Sequence, residues 1–381
     1  MAPAVPQFEV LIVGTGPAGT AAAQVLAEAG TCRVAMVDKA RLPRPKACGG
    51  VFPYRLMDRI GDSSSIPFDA EYRMLRFSNR GDALASQPAH LLGVDRGTFD
   101  HRLAQRAAKR GADTITLIEQ FDVTSLSVAH DSVRIIDRTG NALSGRVLIA
   151  ADGAFSRIAR LAGLNREHVV RPAIDLEVVA HPEDVAALGQ MPAIDLFELD
   201  DGYGWIFPKA DRLSCGVVSW SGKTNLNDAL GRYLGRRLPG GWRVIRRMGH
   251  GIPIYTSHTD IARGRIMLAG DAANLADPIY GAGIEAAYES GVLAGRAAQA
   301  ICSGEGSPDA ISRAYQQQVH GRIGAPNAAV ARHVSPLFRT RPDFFYRNFV
   351  AANLSHEAFA ARMAGLTRDP AVGRQTMGLF D

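Results

Sequence analysis

Residues 8–38, FEVLIVGTGPAGTAAAQVLAEAGTCRVAMVD, decide the fold. Phe8 to Val13 is an apolar, β-branched run and reads as a strand. Gly14 to Gly19 breaks it. Pro17 to Ala29 is an alanine-rich helix closed by Gly30. Arg33 to Val37 is a second strand, and Asp38 stands at its end. A strand–turn–helix–strand unit of this kind predicts a parallel sheet.

The turn also carries chemistry. In Gly14-Thr-Gly16-Pro-Ala18-Gly19 the first glycine permits the tight turn and the second lets the backbone approach a pyrophosphate. The third lets helix and strand pack closely. The helix N-terminus offers free N–H groups and the positive end of its dipole to phosphates. Asp38, about 20 residues on, accepts from a ribose 2′-OH and repels a 2′-phosphate. The expected ligand is an adenine dinucleotide with a free ribose, FAD or NAD.

Outward from this unit, Arg41 to Pro53 is a Pro/Gly-rich loop with too many breakers for regular structure. Tyr72 to His90 predicts antiparallel strands. Thr98 caps a helix to about Lys109, with Phe99, Leu103 and Ala107 on one face. Val123 to Ile136 reads as a hairpin. Val147 to Ala151 is a fully apolar strand followed by Asp152-Gly153, a return to the buried sheet. Ala173 to Gly251 is strand-rich with one helix near Leu226 to Leu238. Ile266 to Ala269 is another buried strand, and a long alanine-rich helix runs to about Ile301. The fold class is α/β, α+β overall: a Rossmann-like dinucleotide domain interrupted by a β-sheet substrate domain, with a helical C-terminal segment. The expected boundaries are 1–70, 93–165 and 255–305 for the first, 71–92 and 166–254 for the second, and 306–381 for the third.

Composition sets limits. The 381 residues suffice for two domains with a sizeable core. Apolar residues at 46% and charged residues at 21% exclude a disordered, collagen-like or coiled-coil chain. No apolar run approaches the roughly 20 residues of a membrane span; contact with a membrane surface stays open. Cys32, Cys48, Cys215 and Cys302 show neither CxxC nor Cys/His spacing, against a disulfide framework or a zinc site. No histidines stand at HxxxH or HExxH spacing, so no metal is expected. His101, His250 and His258 read as surface or satisfied core residues. The first ten residues carry no basic segment and no apolar signal core, so the expected location is cytoplasmic. Net charge is +5, with only five lysines among 43 basic residues. Arginine suits phosphate and carboxylate recognition, but genomic composition explains the bias equally well, and no nucleic-acid partner is expected. Residues 321–381 hold eight arginines against four acids, with Phe344, Phe345, Tyr346 and Phe349 among them. An amphipathic helix packed on its own protein is the first reading; an anionic membrane surface is the second.

A second motif separates FAD from NAD. In residues 265–287, RIMLAGDAANLADPIYGAGIEAA, a buried strand delivers Asp271 to the dinucleotide region and Pro278 to Gly283 opens another helix. Asp271 suits ribityl or pyrophosphate groups. N–H groups around Gly281 to Ile284 suit the pyrimidine edge of a flavin, which becomes negative on reduction.

These pieces together resemble the FAD-dependent geranylgeranyl reductase family, within the p-hydroxybenzoate hydroxylase-like flavoproteins. The matching segments are GTGPAG, Lys46-Ala-Cys48-Gly49-Gly50, Val94 to Asp100, Ala151 to Ser156, Gly202-Tyr203-Gly-Trp205-Ile-Phe207-Pro208 and GDAANLADPIYGAGI. They stand in family order from residue 8 to about 300, and KxCGG and GYxWxFP point to the reductase branch. The resemblance implies FAD bound in extended form between the pieces. It implies cofactor contacts from Gly14, Gly16, Ala18, Gly19, Asp38, Lys39, Cys48, Gly49, Arg96, Asp152, Asp271, Pro278, Gly281, Gly283 and Ile284. It also implies active-site positions for Cys48, Tyr203 and Trp205, and a transient reductant, NAD(P)H or another donor. Many members have GEGI or GGGI where this chain has Gly281-Ala282-Gly283-Ile284, and residues 305–381 match no named pattern. Substrate identity is not carried over. GYxWxFP is also similar to the GWxWxIP of flavin-dependent halogenases, but those carry an additional lysine in the substrate domain. Between Lys46 and Lys209 only Lys109 occurs.

The leading expectation is reduction of carbon–carbon double bonds in an isoprenoid-like substrate, with Cys48 or water giving the proton. The alternative is an FAD monooxygenase acting on an aromatic group, free or within a peptide. A third is a non-catalytic flavoprotein. Read from the residues alone, Cys48 is either a small buried hydrophobe or a reactive thiol tuned by Lys46, and Tyr203 and Trp205 are either core or pocket lining. Oligomeric state is not legible.

Overall fold

The computed structural model describes residues 7–61, 65–79, 82–196, 198–199, 202–329 and 331–332. The aromatic and arginine-rich stretch from Arg339 to Phe349 lies outside them.

Three short runs, Val10–Val13, Val34–Val37 and Val147–Ala150, are buried at every position. Strands apolar on both faces belong in the middle of a parallel sheet covered by helices on each side. The six-stranded sheet has the order Ala262–Arg263, Ile266–Leu268, Val147–Ala150, Val10–Val13, Val34–Val37, Ile115–Ile118. All neighbours pair parallel except the two-residue edge strand Ala262–Arg263. The parallel strands therefore end together, and Gly14, Asp38, Asp152 and Asp271 follow at one edge. Ligands of open parallel sheets bind at that carboxyl edge.

Helix Pro17–Ala29 packs on this sheet and against helix Ile284–Ser303. The contact depends on small residues. A side chain at Gly291 would run into the Ala18 carbonyl oxygen, and one at Gly295 would lie 2.8 Å from the Ala22 oxygen. Strands Val123–Val128, Val133–Asp137 and Ala142–Gly145 form a small antiparallel sheet.

The eight-stranded sheet has the order Trp242–Pro253, Val170–Ala180, Leu213–Ser219, Gly202–Pro208, Ala193–Leu196, Ala70–Asn79, Asp82–Gly93, Val51–Pro53. Only Ala193–Leu196 and Ala70–Asn79 pair parallel. Side chains alternate across a strand. Along Gly202–Pro208, Ile206 joins Cys215, Val217, Leu230 and Tyr233 beneath helix Leu226–Arg237. Tyr203 and Trp205 join Phe77, Ile194, Val218 and Trp220 on the opposite face, beside Ile254 and Ile279.

Three expectations are corrected. Val51–Pro53 is a strand, paired antiparallel with Leu91–Gly93, although glycines and prolines surround it. The cap of helix Arg96–Arg110 is Asp95, whose carboxylate accepts from the Thr98 N–H at 2.9 Å; Thr98 is the donor, three residues on. A second helix, Pro182–Leu188, lies within the strand-rich stretch. Proline at its first turn with Glu183 and Asp184 beside it was a readable start signal.

Two glycine substitutions should move stability in opposite directions. Gly291→Val should cost about 3 kcal/mol by overpacking against Ala18. Gly231→Ala, in helix Leu226–Arg237 with nothing within 4 Å of the new methyl, should gain about 0.5–1 kcal/mol. Chemical unfolding midpoints of the two variants against the parent check both signs.

Candidate active site

Gly14 has φ +105°, and a side chain there would strike the Ala151 carbonyl oxygen. A side chain on Gly19 would strike the Gly14 oxygen. Gly16 has nothing within 4 Å of where a Cβ would stand. First and third glycines are thus consumed by packing, while the middle one borders open space. No side chain caps helix Pro17–Ala29 at Gly16, so its first-turn N–H groups are left for a ligand. This is what a pyrophosphate requires.

Asp38 is buried at the end of its strand. Its Oδ2 accepts from Thr15 N at 3.2 Å, Thr15 Oγ1 at 2.5 Å and Arg44 Nε at 3.0 Å; its Oδ1 accepts from Ala40 N at 3.0 Å. Burial raises its pKa, but the Arg44 charge and these hydrogen bonds outweigh it and hold the carboxyl below its ordinary range. Oδ1, with a single protein donor, keeps capacity for a ribose hydroxyl.

At the neighbouring strand end, Lys46 Nζ lies 2.9 Å from His250 Nε2 and 3.6 Å from Asp271 Oδ2. Burial lowers the Lys46 pKa, with Asp271 opposing it. Burial and the Lys46 charge push His250 down to about 4. His250 is therefore neutral near pH 7. With Lys46 the donor, its Nε2 accepts and its Nδ1 carries the proton. The Phe155 ring, 70% exposed, stands edge-on to His250 with centroids 6.2 Å apart.

The Cys48 loop is held from three sides. The Cys48 sulfur accepts from Gly50 N at 3.3 Å, and Arg96 stands near it while forming a two-point ion pair with Asp100, at 2.9 and 3.0 Å. Val94 N donates to Gly50 O at 2.8 Å, and the buried Lys209 ammonium donates to Val94 O at 3.0 Å while pairing with Glu177 at 3.3 Å. On the third side a side chain at Gly49 would stand 2.7 Å from the Phe207 ring and 3.3 Å from Trp205 Nε1. Beyond lies a wall of rings: Trp205–Phe207 at 6.5 Å, Tyr203–Trp205 at 6.1 Å, Tyr203–Trp220 at 5.9 Å and Tyr203–Tyr280 at 6.4 Å. Tyr203 Oη donates to the Tyr280 carbonyl, and burial raises its pKa. Trp205 Nε1 and Trp220 Nε1 are buried with no acceptor among the described residues.

The structure brings Gly14, Gly16, Asp38 and Asp271 to one edge and Cys48, Gly49, Tyr203 and Trp205 to one wall. Other expected residues have protein partners. Ser156 caps helix Arg157–Ala162, and Asp152 supports that start, accepting from Ser156 Oγ, Arg157 N and Ile158 N; burial raises its pKa against those bonds. Ala18 lies in the contact with Gly270 and Gly291. Lys39 is exposed, and Pro278 is buried. Gly281, at φ +66°, would put a side chain 2.9 Å from Ile252, whereas Gly283 has only ordinary contacts, with Ala276 and Asp271. Ile284 packs in the cluster that includes Cys48. Sequence reading missed Arg44, Trp220, Tyr280 and Lys209, and it set His250 aside as surface or satisfied core. None of these has a spacing motif; only the DPIYG segment hinted at Tyr280.

The depressed His250 pKa has a readable consequence. The unfolded chain binds a proton near pH 6.5 and the folded chain only near pH 4. Stability should fall as pH drops through that window and recover as pH rises. Denaturant titrations across it should show a shallower fall for His250→Gln. An unchanged slope would place the acid-sensitive group elsewhere.

Residues 7–197 match the family described as FAD binding domain. The chain is 30% identical over 326 residues to the digeranylgeranylglycerophospholipid reductase of Methanoculleus marisnigri, covering 80% of each chain. It is 31% identical over 337 residues to the geranylgeranyl diphosphate reductase of Rhodobacter capsulatus, covering 83% of this chain and 82% of that one. Among solved structures, a geranylgeranyl bacteriochlorophyll reductase-like protein of Thermoplasma acidophilum superimposes with TM-score 0.73 at 23% identity, covering 89% and 91% of the two chains. The chain belongs to the FAD-dependent geranylgeranyl reductase family, within the p-hydroxybenzoate hydroxylase-like flavoproteins, and is an FAD-dependent oxidoreductase.

Proposed function

We propose that the protein reduces isolated carbon–carbon double bonds of an isoprenoid or similarly hydrophobic substrate. The observation that carries this reading is the ring wall beside Cys48, in which Tyr203 lies 5.9–6.4 Å from Trp205, Trp220 and Tyr280, and Trp205 lies 6.5 Å from Phe207. Such a face excludes water and accepts an apolar chain. The names of the two relatives above, both prenyl-group reductases, support the substrate class.

The residues divide the work as follows. The turn around Gly16 and the first N–H groups of helix Pro17–Ala29 hold the pyrophosphate of FAD, and Asp38 takes the adenosine ribose. Lys46 and Asp271 hold the stretch between phosphates and flavin. Bound FAD supplies a hydride equivalent, recharged by a transient reductant. Cys48, with Arg96 against its sulfur, holds a proton near the ring wall and delivers it to the substrate carbon left electron-rich; water is the other source. Tyr203 and Trp205 orient the chain. The working division keeps the cofactor on segments 1–70, 93–165 and 255–305, and the substrate on 71–92 and 166–254.

A second reading has one observation in its favour. The N–H groups of Trp205 and Trp220 lack acceptors among the described residues, and a phenol or quinone oxygen provides one where a bare polyene does not. Aromatic hydroxylation with molecular oxygen is that reading.

The deciding experiment supplies the reduced enzyme with a prenyl substrate without oxygen, then with labelled oxygen. Saturation of double bonds, two hydrogens each by mass spectrometry, is the expected result. Labelled oxygen in an aromatic product would establish the second reading instead. Within the reductase, Cys48→Ala should lower turnover about 10²-fold at full flavin content. Gly16→Val should give a protein without flavin absorbance, because the added side chain fills the one open position of the turn.

A further inference from the structure

Asp271 reaches the cofactor edge from a single 3₁₀ turn, Gly270–Ala273, in which Gly270, Ala272 and Ala273 are buried while the Asp271 side chain is partly exposed. Hydrogen-bond geometry in a 3₁₀ turn is poor, so one such turn does not fix its own direction. Side chains from distant parts of the chain do so instead.

At the entry, Tyr315 Oη donates to Leu268 O at 2.6 Å, and Gly270 N donates to Ser290 Oγ at 2.9 Å. At the exit, Asn274 N donates to Asp271 O at 3.2 Å, and Asn165 Nδ2 donates to Ala272 O at 2.9 Å. The backbone is thus tied on both sides of Asp271, and its carboxylate is left toward Lys46.

Asn165 is the most tightly held of these groups. Ala272 O can only accept, so Nδ2 faces it and Oδ1 takes two donors. These are Thr259 Oγ1 at 3.0 Å and Asn274 Nδ2 at 3.2 Å. The Asn165 N–H donates to Asp260 O at 2.8 Å. Thr259 is held in turn, its carbonyl accepting from His320 Nε2 at 2.9 Å in the π-helical turn His320–Gly324.

Both asparagines are buried, and both are left-handed, Asn165 at φ +49° and Asn274 at φ +55°. Backbone of that kind is met by glycine at no steric cost. Asparagine adds an amide, and here the two amides bond each other and close on the turn that carries Asp271. Buried amides satisfied in this way give a segment one arrangement rather than several.

We infer that Asn165 is a positioning residue for the cofactor edge: its amide, clasped by Thr259 and Asn274, sets where the turn presents the Asp271 carboxylate to FAD. This rests on Asp271 holding the stretch of FAD between phosphates and flavin.

The test reads cofactor affinity, not turnover. The FAD-loaded protein is diluted to equilibrium, and free FAD is measured in the ultrafiltrate. Asn165→Gly keeps the left-handed backbone and removes only the amide. Thr259→Val, which removes one of the two donors to Oδ1, is the milder change. Leu230→Ala, in the core beneath helix Leu226–Arg237, controls for a general loss of stability. Asn165→Gly should weaken FAD binding about tenfold, and Thr259→Val by less. Leu230→Ala should lower the unfolding midpoint and leave FAD affinity unchanged. In an Asp271→Ala background, Asn165→Gly should cost less than about twofold, because the group it positions is gone. An equal loss in both backgrounds, parent-like affinity in Asn165→Gly, or a matching loss in Leu230→Ala overturns the inference. Should Asn165→Gly fail to fold, the same cycle with Thr259→Val decides. Parent-like affinity in Asp271→Ala alone would instead remove Asp271 from the cofactor site, and the inference with it.

Discussion

The rest of the fold depends on the close approach at Gly19, where a side chain would overlap the Gly14 carbonyl oxygen. That approach turns the chain sharply out of strand Val10–Val13 and into helix Pro17–Ala29. It fixes the direction of the helix N-terminus and brings Ala18 and Ala22 against helix Ile284–Ser303. The second helix therefore starts, at Gly283, beside the edge where the first one starts. Two helix N-termini at one sheet edge set the pattern of the site: anionic cofactor groups belong there, and the rest of the molecule is arranged around them.

Much of the fold is legible in the sequence because its information is local. Val10–Val13, Val34–Val37 and Val147–Ala150 are uninterrupted apolar runs between glycines and acids, and only a doubly covered parallel sheet accommodates them. Helix Pro17–Ala29 carries its own start and stop. Val51–Pro53 was hidden for the converse reason. Three residues among glycines and prolines have no period of their own, and the strand exists because Leu91–Gly93 presents an edge to it. The misplaced cap at Thr98 shows the same limit. Asp95 and Thr98 are both good capping residues, and which accepts and which donates depends on where the backbone turns.

The site divides along the same line. Gly14, Gly16, Gly19, Asp38 and Asp271 are readable because strand ends place them together by topology. Lys46 with His250, and Lys209 with Val94, are separated by 204 and 115 residues. No pattern in one chain announces such pairs. Their energetics are those of buried charge, where each group is tolerable only with its partner. Asp152 shows the reverse. Its Asp-Gly motif is conspicuous in sequence, yet its carboxylate is engaged in starting a six-residue helix. A motif specifies a backbone arrangement more firmly than it specifies what the side chain touches.

The arrangement around Cys48 follows from these long-range contacts. The loop has two consecutive glycines, and left alone it would sample many conformations. Arg96 stands near the sulfur, Val94 and Lys209 hold the Gly50 end, and the Trp205 and Phe207 rings pack against Gly49. The restraints come from two distant parts of the chain: Val94 with Arg96, and Lys209 with the ring pair, which lie on or beside strand Gly202–Pro208. That strand therefore lines the apolar wall with one face and bears on the Cys48 loop through its end. The Trp205 and Phe207 rings leave no room for a side chain at Gly49, so the ring wall and the Cys48 loop are packed against each other with no intervening element.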